Sequence, residues 1–146
     1  MWEFHKIEPD AHRRALELFL KAIEVEPTSA DGYLWLARTE AGLAAYGWSV
    51  EPETTLRDGM AAGLRAVQLD EKYPYCHYAV AMTHTVAGQY ESALQASRRA
   101  VTLSPSFALG YLVLGAAQLY AGRPKEAIEP LEHELRLSPY DPQNFS

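Results

Sequence analysis

The stretch RAVTLSP, residues 99–105, decides the fold, because closely similar stretches recur along the chain. They read KAIEVEP at 21–27, RAVQLDE at 65–71 and HELRLSP at 133–139. In chain order, the stretches that begin at residues 65, 99 and 133 follow one another with a period of about 34 residues, which is typical of a repeated helix–turn–helix unit. The first two are separated by the same period and an insertion. The sequence therefore predicts an all-α chain made of stacked copies of one unit.

Small residues return at the same places in each copy and indicate where two helices approach closely. Antiparallel helices can pack tightly only where the side chains between them are small, and a large side chain would push their axes apart. Each unit has a first and a second helix. The small positions in the first helices of the units are Ala37, Ala81 and Gly115. Those in the second helices are Ala15, Ala22, Gly59, Ala66, Ala93, Ala100 and Ala127, with Glu134 at the corresponding place of the last copy.

Glycine and proline mark the predicted helix ends. Gly88 and Gly122, which lie one period apart, suit left-handed caps at the ends of first helices, and Pro124 suits the first turn of a helix. Proline also closes three of the copies, because it cannot continue a helix; these residues are Pro27, Pro105 and Pro139, with Glu71 in the second copy. The pattern predicts seven helices, at about 10–26, 30–45, 53–71, 75–87, 90–103, 108–121 and 124–137, and no sheet.

With this spacing and these residue types, the sequence resembles the tetratricopeptide repeat (TPR) family over about residues 11–141. The resemblance implies an α–α superhelix, the TPR solenoid, of about seven antiparallel helices. It divides the chain into an N-terminal segment 1–9, a TPR domain 10–141 and a tail 142–146. The domain would hold a partial unit 10–29, a unit 30–73 with an insertion near 46–58, and units 74–107 and 108–141.

Two longer stretches narrow the resemblance further. The insertion AYGWSVEPETTLRDGM, residues 45–60, and the ending GRPKEAIEPLEHELRLSPYDP, residues 122–142, are similar to bacterial repeat arrays. Those arrays follow a class III adenylate cyclase domain or a winged-helix DNA-binding domain in signalling proteins. The resemblance implies that this chain is part of a bacterial regulatory or signalling protein, and a stand-alone repeat protein is the alternative.

Composition disfavours several classes of partner. The formal net charge of -6 opposes binding to nucleic-acid phosphates and to anionic membrane surfaces, so we expect neither as a partner. The nearly apolar run 107–122 is too short to span a membrane and indicates a buried helix. Cys76 is the single cysteine, and MWEFHKIEPD does not read as a signal peptide. We expect a cytoplasmic protein.

The resemblance implies that the first helices line a concave, partner-binding face. The predicted protein-binding groove consists of Arg38, Tyr75, Tyr78, Met82, Thr85, Leu112 and Leu119. The Lys, Asn and Arg set with which the family captures a carboxylate is absent, and only Arg38 is suited to that role. Our hypothesis is a groove for an apolar peptide or helix, because aromatic and Met side chains make strong, adaptable contacts. The alternative is that several of these side chains simply pack between neighbouring helices.

No residue pattern indicates catalysis, a cofactor or a metal. The sequence lacks a Gly-rich phosphate loop, a nucleophile elbow and an HExxH motif. His77 and His84 lie on one face of a predicted helix, but Cys76 points away from them, and we expect packing histidines. The sequence therefore predicts a non-enzymatic protein with no cofactor.

The insertion and the last helix raise two further expectations. We expect Tyr46 and Trp48 to fold back onto their own helix pair rather than onto a partner. The last helix carries Pro130 and Glu134, which indicates a terminal or weakly stacked helix. Its apolar face would then be open and suited to a homodimer; the residues of that face are Ile128, Leu131 and Leu135. The alternative function is a structural spacer or dimerisation element for an attached adenylate cyclase or DNA-binding domain, with no separate ligand.

Overall fold

The computed structural model describes residues 2–138, with side chains from residue 10 onward. The regular elements in this range are seven helices, and no strand occurs among them. They are α1 (Trp2–Val25), α2 (Ala30–Ala45), α3 (Pro52–Leu69), α4 (Pro74–Val86), α5 (Tyr90–Leu103), α6 (Ala108–Tyr120) and α7 (Pro124–Leu137). The all-α prediction is confirmed. Pro139 and the predicted tail 142–146 lie outside the described residues, and the division into units stays a prediction.

The helices pair as hairpins and stack into a solenoid. Short connections join α2 to α3, α4 to α5 and α6 to α7, and the two helices of each hairpin pack on each other. The first helices α2, α4 and α6 also pack on one another in order, and α1 packs on α2. One face of the solenoid is therefore lined by α2, α4 and α6.

The small positions lie where the helices cross. Ala37, Ala81, Ala93 and Ala127 have no exposed surface. At Gly115, an added Cβ would lie 2.6 Å from the end of the Leu131 side chain on α7. Close helix approach therefore depends on these residues, as the sequence indicates.

Ala22 departs from this pattern, because it is exposed on α1. The helices of the described chain leave that side of α1 uncovered, so the position does not need a small residue there.

Three first helices end in the same cap. Gly47, Gly88 and Gly122 have φ of 72°, 78° and 80°, a left-handed conformation that glycine adopts without steric cost. After α4, the N–H of Gln89 donates to the carbonyl of His84 (2.9 Å) and the N–H of Gly88 to that of Thr85 (3.1 Å). This is a Schellman motif, and equivalent bonds form at the other two glycines. The predicted caps at Gly88 and Gly122 are confirmed, and Gly47 adds a third.

α1 begins earlier than predicted. The prediction started the helix at residue 10, but the helix continues through Pro9 to Trp2. The segment 2–8 holds neither glycine nor proline, so helix propensity prevails there. From α2 onward, every helix end lies within two residues of its predicted position.

Candidate functional site

An apolar cavity of about 230 Å³ lies on the face formed by the first helices. α4 and α6 form its walls and the end of α2 closes it. Side chains on each helix recur at spacings of three or four residues, so each helix presents one face to the cavity. The lining residues are Ala45, Tyr78, Met82, Thr85, Val86, Leu112, Val113, Ala116 and Tyr120.

A second, more polar cavity of about 280 Å³ adjoins the first. It is lined by Ala11, His12, Arg38, Gly42, Tyr46 and Met82. Met82 lines both cavities, so they meet at this side chain. We call the two cavities together the concave groove.

Arg38 is held at the polar end of this groove. Its Nε–H donates to the hydroxyl of Tyr78 (3.3 Å), and its guanidinium carbon lies 6.0 Å from the centre of the Trp35 ring. Within residues 10–138 the guanidinium forms no ion pair, and the side chain is half-buried. Arg38 is therefore a positioned cation that offers its remaining donors to the groove.

Tyr75 lies outside the groove lining, in an aromatic cluster between the units. Its ring centre is 4.7 Å from that of Phe107, 5.7 Å from that of Trp35 and 6.4 Å from that of Tyr78. These rings join α2, α4 and the start of α6, so Tyr75 contributes packing between helices. This is the alternative role left open by the sequence for Tyr75.

The structure brings together five of the seven predicted groove residues. Arg38, Tyr78, Met82, Thr85 and Leu112 line the concave groove, and Tyr75 does not. Leu119 is 48% exposed and also lies outside the lining, whereas the neighbouring Tyr120 lines it. Helical spacing contains this signal, because residue 120 follows 112 and 116 at intervals of four, whereas 119 is turned about 100° away.

The aromatic residues of the insertion stack on each other, and one of them contacts α1. The Trp48 ring stacks on Tyr46 at 4.9 Å and meets His12 of α1 edge-on at 5.2 Å. We expected them to fold back onto their own helix pair, whereas the ring contact of Trp48 outside the insertion is with His12 of the preceding helix. The cap at Gly47 turns the chain after α2, and Trp48 then reaches the preceding helix.

The histidines and the cysteine of α4 are used inside the fold. The Nε2–H of His77 donates to the carbonyl of Glu71 (2.7 Å), and Nδ1 of His84 lies 2.7 Å from Oε1 of Gln89. Burial, with smaller contributions from Asp70 and Asp31, raises the pKa of the Cys76 thiol to about 12. Within residues 10–138, no group of three or more His, Cys, Asp and Glu side chains is placed to hold a metal ion.

The outer face of α7 is only partly open. Ile128 and Leu135 are exposed, but Leu131 is half-buried because it fills the space that Gly115 leaves free. The predicted open face is thus smaller than the three residues indicated by the sequence.

None of the described helices combines the length and the apolar composition that crossing a membrane requires.

Solved structures share this architecture. TTC0263 from Thermus thermophilus, a thermophilic TPR protein, aligns with a TM-score of 0.79 at 19% identity, over 93% of this chain and 70% of that one. The chain has the TPR fold. MamA aligns with a TM-score of 0.63 at 20% identity over 87% of this chain, which spans 64% of the MamA chain.

A third TPR structure was solved with a peptide. The second TPR domain of human RPAP3, in complex with the HSP70 peptide SGPTIEEVD, aligns with a TM-score of 0.57 at 20% identity, over 75% of this chain and 90% of that one. At these identities the likeness concerns the fold. No family model and no curated protein matches the sequence significantly.

Proposed function

We propose that this chain is a non-enzymatic protein-interaction module that binds an apolar peptide or helix in the concave groove. One observation carries the proposal: the apolar cavity between α4 and α6 is left open beside Arg38, a cation without an ion-pair partner in the described part of the chain. Open apolar concavities with a few placed polar groups are typical of binding sites.

The groove lining suits a protein ligand. Tyr78, Met82, Leu112 and Tyr120 present aromatic and flexible apolar surface, the kinds of side chain that dominate binding energy at interfaces. The peptide complex of RPAP3 supports this use of the fold. At the polar end, Arg38 would pair with a carboxylate of the peptide, and the charge-assisted bond would fix its orientation.

We place the module in a bacterial regulatory or signalling protein that acts in the cytoplasm. The insertion 45–60 and the ending 122–142, which resemble arrays attached to cyclase or winged-helix domains, support this context. The formal net charge of -6 supports a protein partner over nucleic acid or an anionic membrane.

A peptide-selection experiment tests the groove. Peptides enriched by display on the full chain should be apolar with an acidic residue, and Met82→Glu should weaken their binding at least tenfold in calorimetry. Leu64→Glu, on the exposed side of α3, is the matched control and should leave the Kd unchanged. Equal loss of affinity in both variants, or none in Met82→Glu, would refute groove binding, provided that circular dichroism shows both variants folded.

The exposed residues of α7 favour a second candidate, a spacer or dimerisation element. Ile128 and Leu135 lie one above the other on the outer face, two turns apart, where a second chain could cover them. Light scattering should then give the mass of a dimer, and Ile128→Lys with Leu135→Lys should give that of a monomer. A single-chain mass for the unmodified protein at high micromolar concentration would remove this candidate.

A further inference from the structure

A larger cavity, of about 610 Å³, lies between α1, α2 and α3. Its size falls within the range of small-molecule sites, roughly 300–1,000 Å³. Its walls are mainly aliphatic, and no basic residue lines it among the described side chains. The lining residues are Leu16, Leu20, Ile23, Tyr33, Leu36, Glu40, Leu43, Thr55, Asp58, Ala61 and Ala62.

This cavity, which we call the α1–α3 cavity, is separate from the concave groove. On α2, Arg38 and Gly42 face the groove, whereas Leu36, Glu40 and Leu43 face the cavity. Residue 40 is turned about 200° from residue 38 around the helix. A ligand in one site therefore leaves the other free.

Glu40 is the unusual group in this cavity. Its side chain is 8% exposed and makes no hydrogen bond or ion pair within residues 10–138, yet it lines the cavity. Gly59 of α3 makes room for it, because a Cβ there would lie 3.4 Å from Cβ of Glu40. Burial disfavours an unpaired carboxylate, and because Glu40 lines the open cavity, a ligand in that cavity can supply the partner.

The charged surroundings of Glu40 are one-sided. Asp58 of α3 is the charged group that acts on it; α1 contributes Leu16, Leu20 and Ile23, and α4 approaches with the uncharged Thr83. Burial and, to a smaller extent, Asp58 raise the pKa of Glu40 to about 7. The cavity thus combines two carboxyl groups with an aliphatic wall, which is complementary to a cation that carries an apolar body.

We propose that the α1–α3 cavity binds an amphiphilic organic cation, with its ammonium group at Glu40 and Asp58 and its apolar body against Leu16, Leu20 and Ile23. The cation supplies the charge partner that Glu40 lacks, and the apolar body removes the aliphatic walls from water. The site does not depend on the peptide groove, so either can fail in experiment without the other.

Protonation makes this binding pH-dependent. The cation favours the ionised form of Glu40, so binding releases a proton where Glu40 is protonated in the free protein. The Kd should fall as pH rises through about 7. If only the ionised form binds, the affinity at pH 8 exceeds that at pH 6 by about tenfold.

The test compares three probes that carry a similar alkyl group: octylammonium, octanol and octanoate. Each is titrated into the intact protein. Calorimetry should show octylammonium binding most tightly, about tenfold tighter at pH 8 than at pH 6, with octanoate not binding. Equal affinity for octylammonium and octanol, or an affinity that does not change with pH, would overturn the proposal. So would preferential binding of octanoate.

Variants separate the site from general charge. Glu40→Gln should abolish the pH dependence and weaken octylammonium binding at pH 8 about tenfold, and Asp58→Asn should shift the dependence to lower pH. Glu17→Gln, an exposed carboxylate of α1, removes the same charge from the surface and should change nothing. If Glu40→Gln and Asp58→Asn, both folded by circular dichroism, bind octylammonium as the unmodified chain does, the cavity is not the site.

Discussion

The hairpins α2–α3 and α6–α7 place different chemistry at the same position. Glu40 on α2 and Gln118 on α6 correspond through the repeat, and His84 on α4 occupies the equivalent place between them. Glu40 and Gln118 both lie beside a cavity, with 8% and 6% of their surface exposed. Oε1 of Gln118 has no hydrogen-bond partner in the described part of the chain. The solenoid thus keeps a polar residue at this place in each hairpin.

The surroundings of this position differ because only the first hairpin is covered by α1. Leu16, Leu20 and Ile23 add a third, apolar wall there, and the cavity reaches about 610 Å³. The cavity beside Gln118 is about 250 Å³ and has Glu126, Glu129 and His133 among its lining residues. The comparison teaches that both side chains are buried within their hairpins, whereas a neighbouring helix determines the size and the apolar lining of the cavity beside them.

The largest expected effect tests how firmly each hairpin is held. Ala81→Leu in α4 should lower the free energy of unfolding by about 3 kcal/mol, because α4 is packed by α2, α3, α5 and α6 and cannot yield. Ala127→Leu in α7 should cost about 1 kcal/mol, since α7 packs mainly on α6 and can shift. Denaturant titration followed by circular dichroism measures both. Equal costs in the two variants would show that the terminal hairpin is as rigid as the central one.

The next prediction concerns the pH dependence of stability when Glu40 and Gln118, the polar residues at corresponding places, are exchanged for each other's type. The folded-state pKa of Glu40, about 7, lies above its ordinary value of 4.5, so the folded protein holds a proton that the unfolded chain loses between these pH values. Stability should therefore fall by roughly 2.5 kcal/mol between pH 5 and pH 8 and stay level above that. Glu40→Gln should remove this loss, and denaturant titrations at pH 5 and pH 8 measure it.

The reverse exchange is the matched control. Gln118→Glu should introduce a smaller loss over the same window, because among the described residues only α6 and α7 line that cavity and no third helix adds an apolar wall. A loss as large as that of the unmodified Glu40 site would mean that burial within the hairpin alone, without α1, is sufficient.

The smallest effect tests a feature that the hairpins share. Gly88→Ala should cost about 1 kcal/mol, since a side chain in the left-handed conformation is strained while the space around the added Cβ is open. Gly47→Ala and Gly122→Ala should cost the same amount, because their caps are equivalent. A markedly different thermal shift for one of the three would show that its cap is not equivalent to the others in solution.

Local patterns were sufficient to predict the helices and the way they cross. The predicted helix 30–45 is found as Ala30–Ala45 (α2), and the predicted helix 124–137 as Pro124–Leu137 (α7). Gly88 and the buried Ala81 were assigned correctly, because the cap conformation and the close crossing each restrict the residue type locally.

The site was predictable only in part. The sequence indicated Met82 and Leu112 through their place on the first helices, but it selected Leu119, whose neighbour Tyr120 lines the groove instead. Tyr75 was ambiguous between groove and packing, and the ring of Phe107, which lies far along the chain just before α6, decided for packing. Such long-range contacts leave no mark on the residues next to Tyr75 in the chain.

By itself the sequence determined the repeat, the seven helices and the positions that must stay small, because these depend on periodicity and on steric limits that act within one unit. Only the tertiary structure decided which residues line the concave groove, that Trp48 reaches His12, and that Glu40 is enclosed beneath α1. The reason is physical: burial, and with it the raised pKa of Glu40, depends on surfaces contributed by neighbouring units.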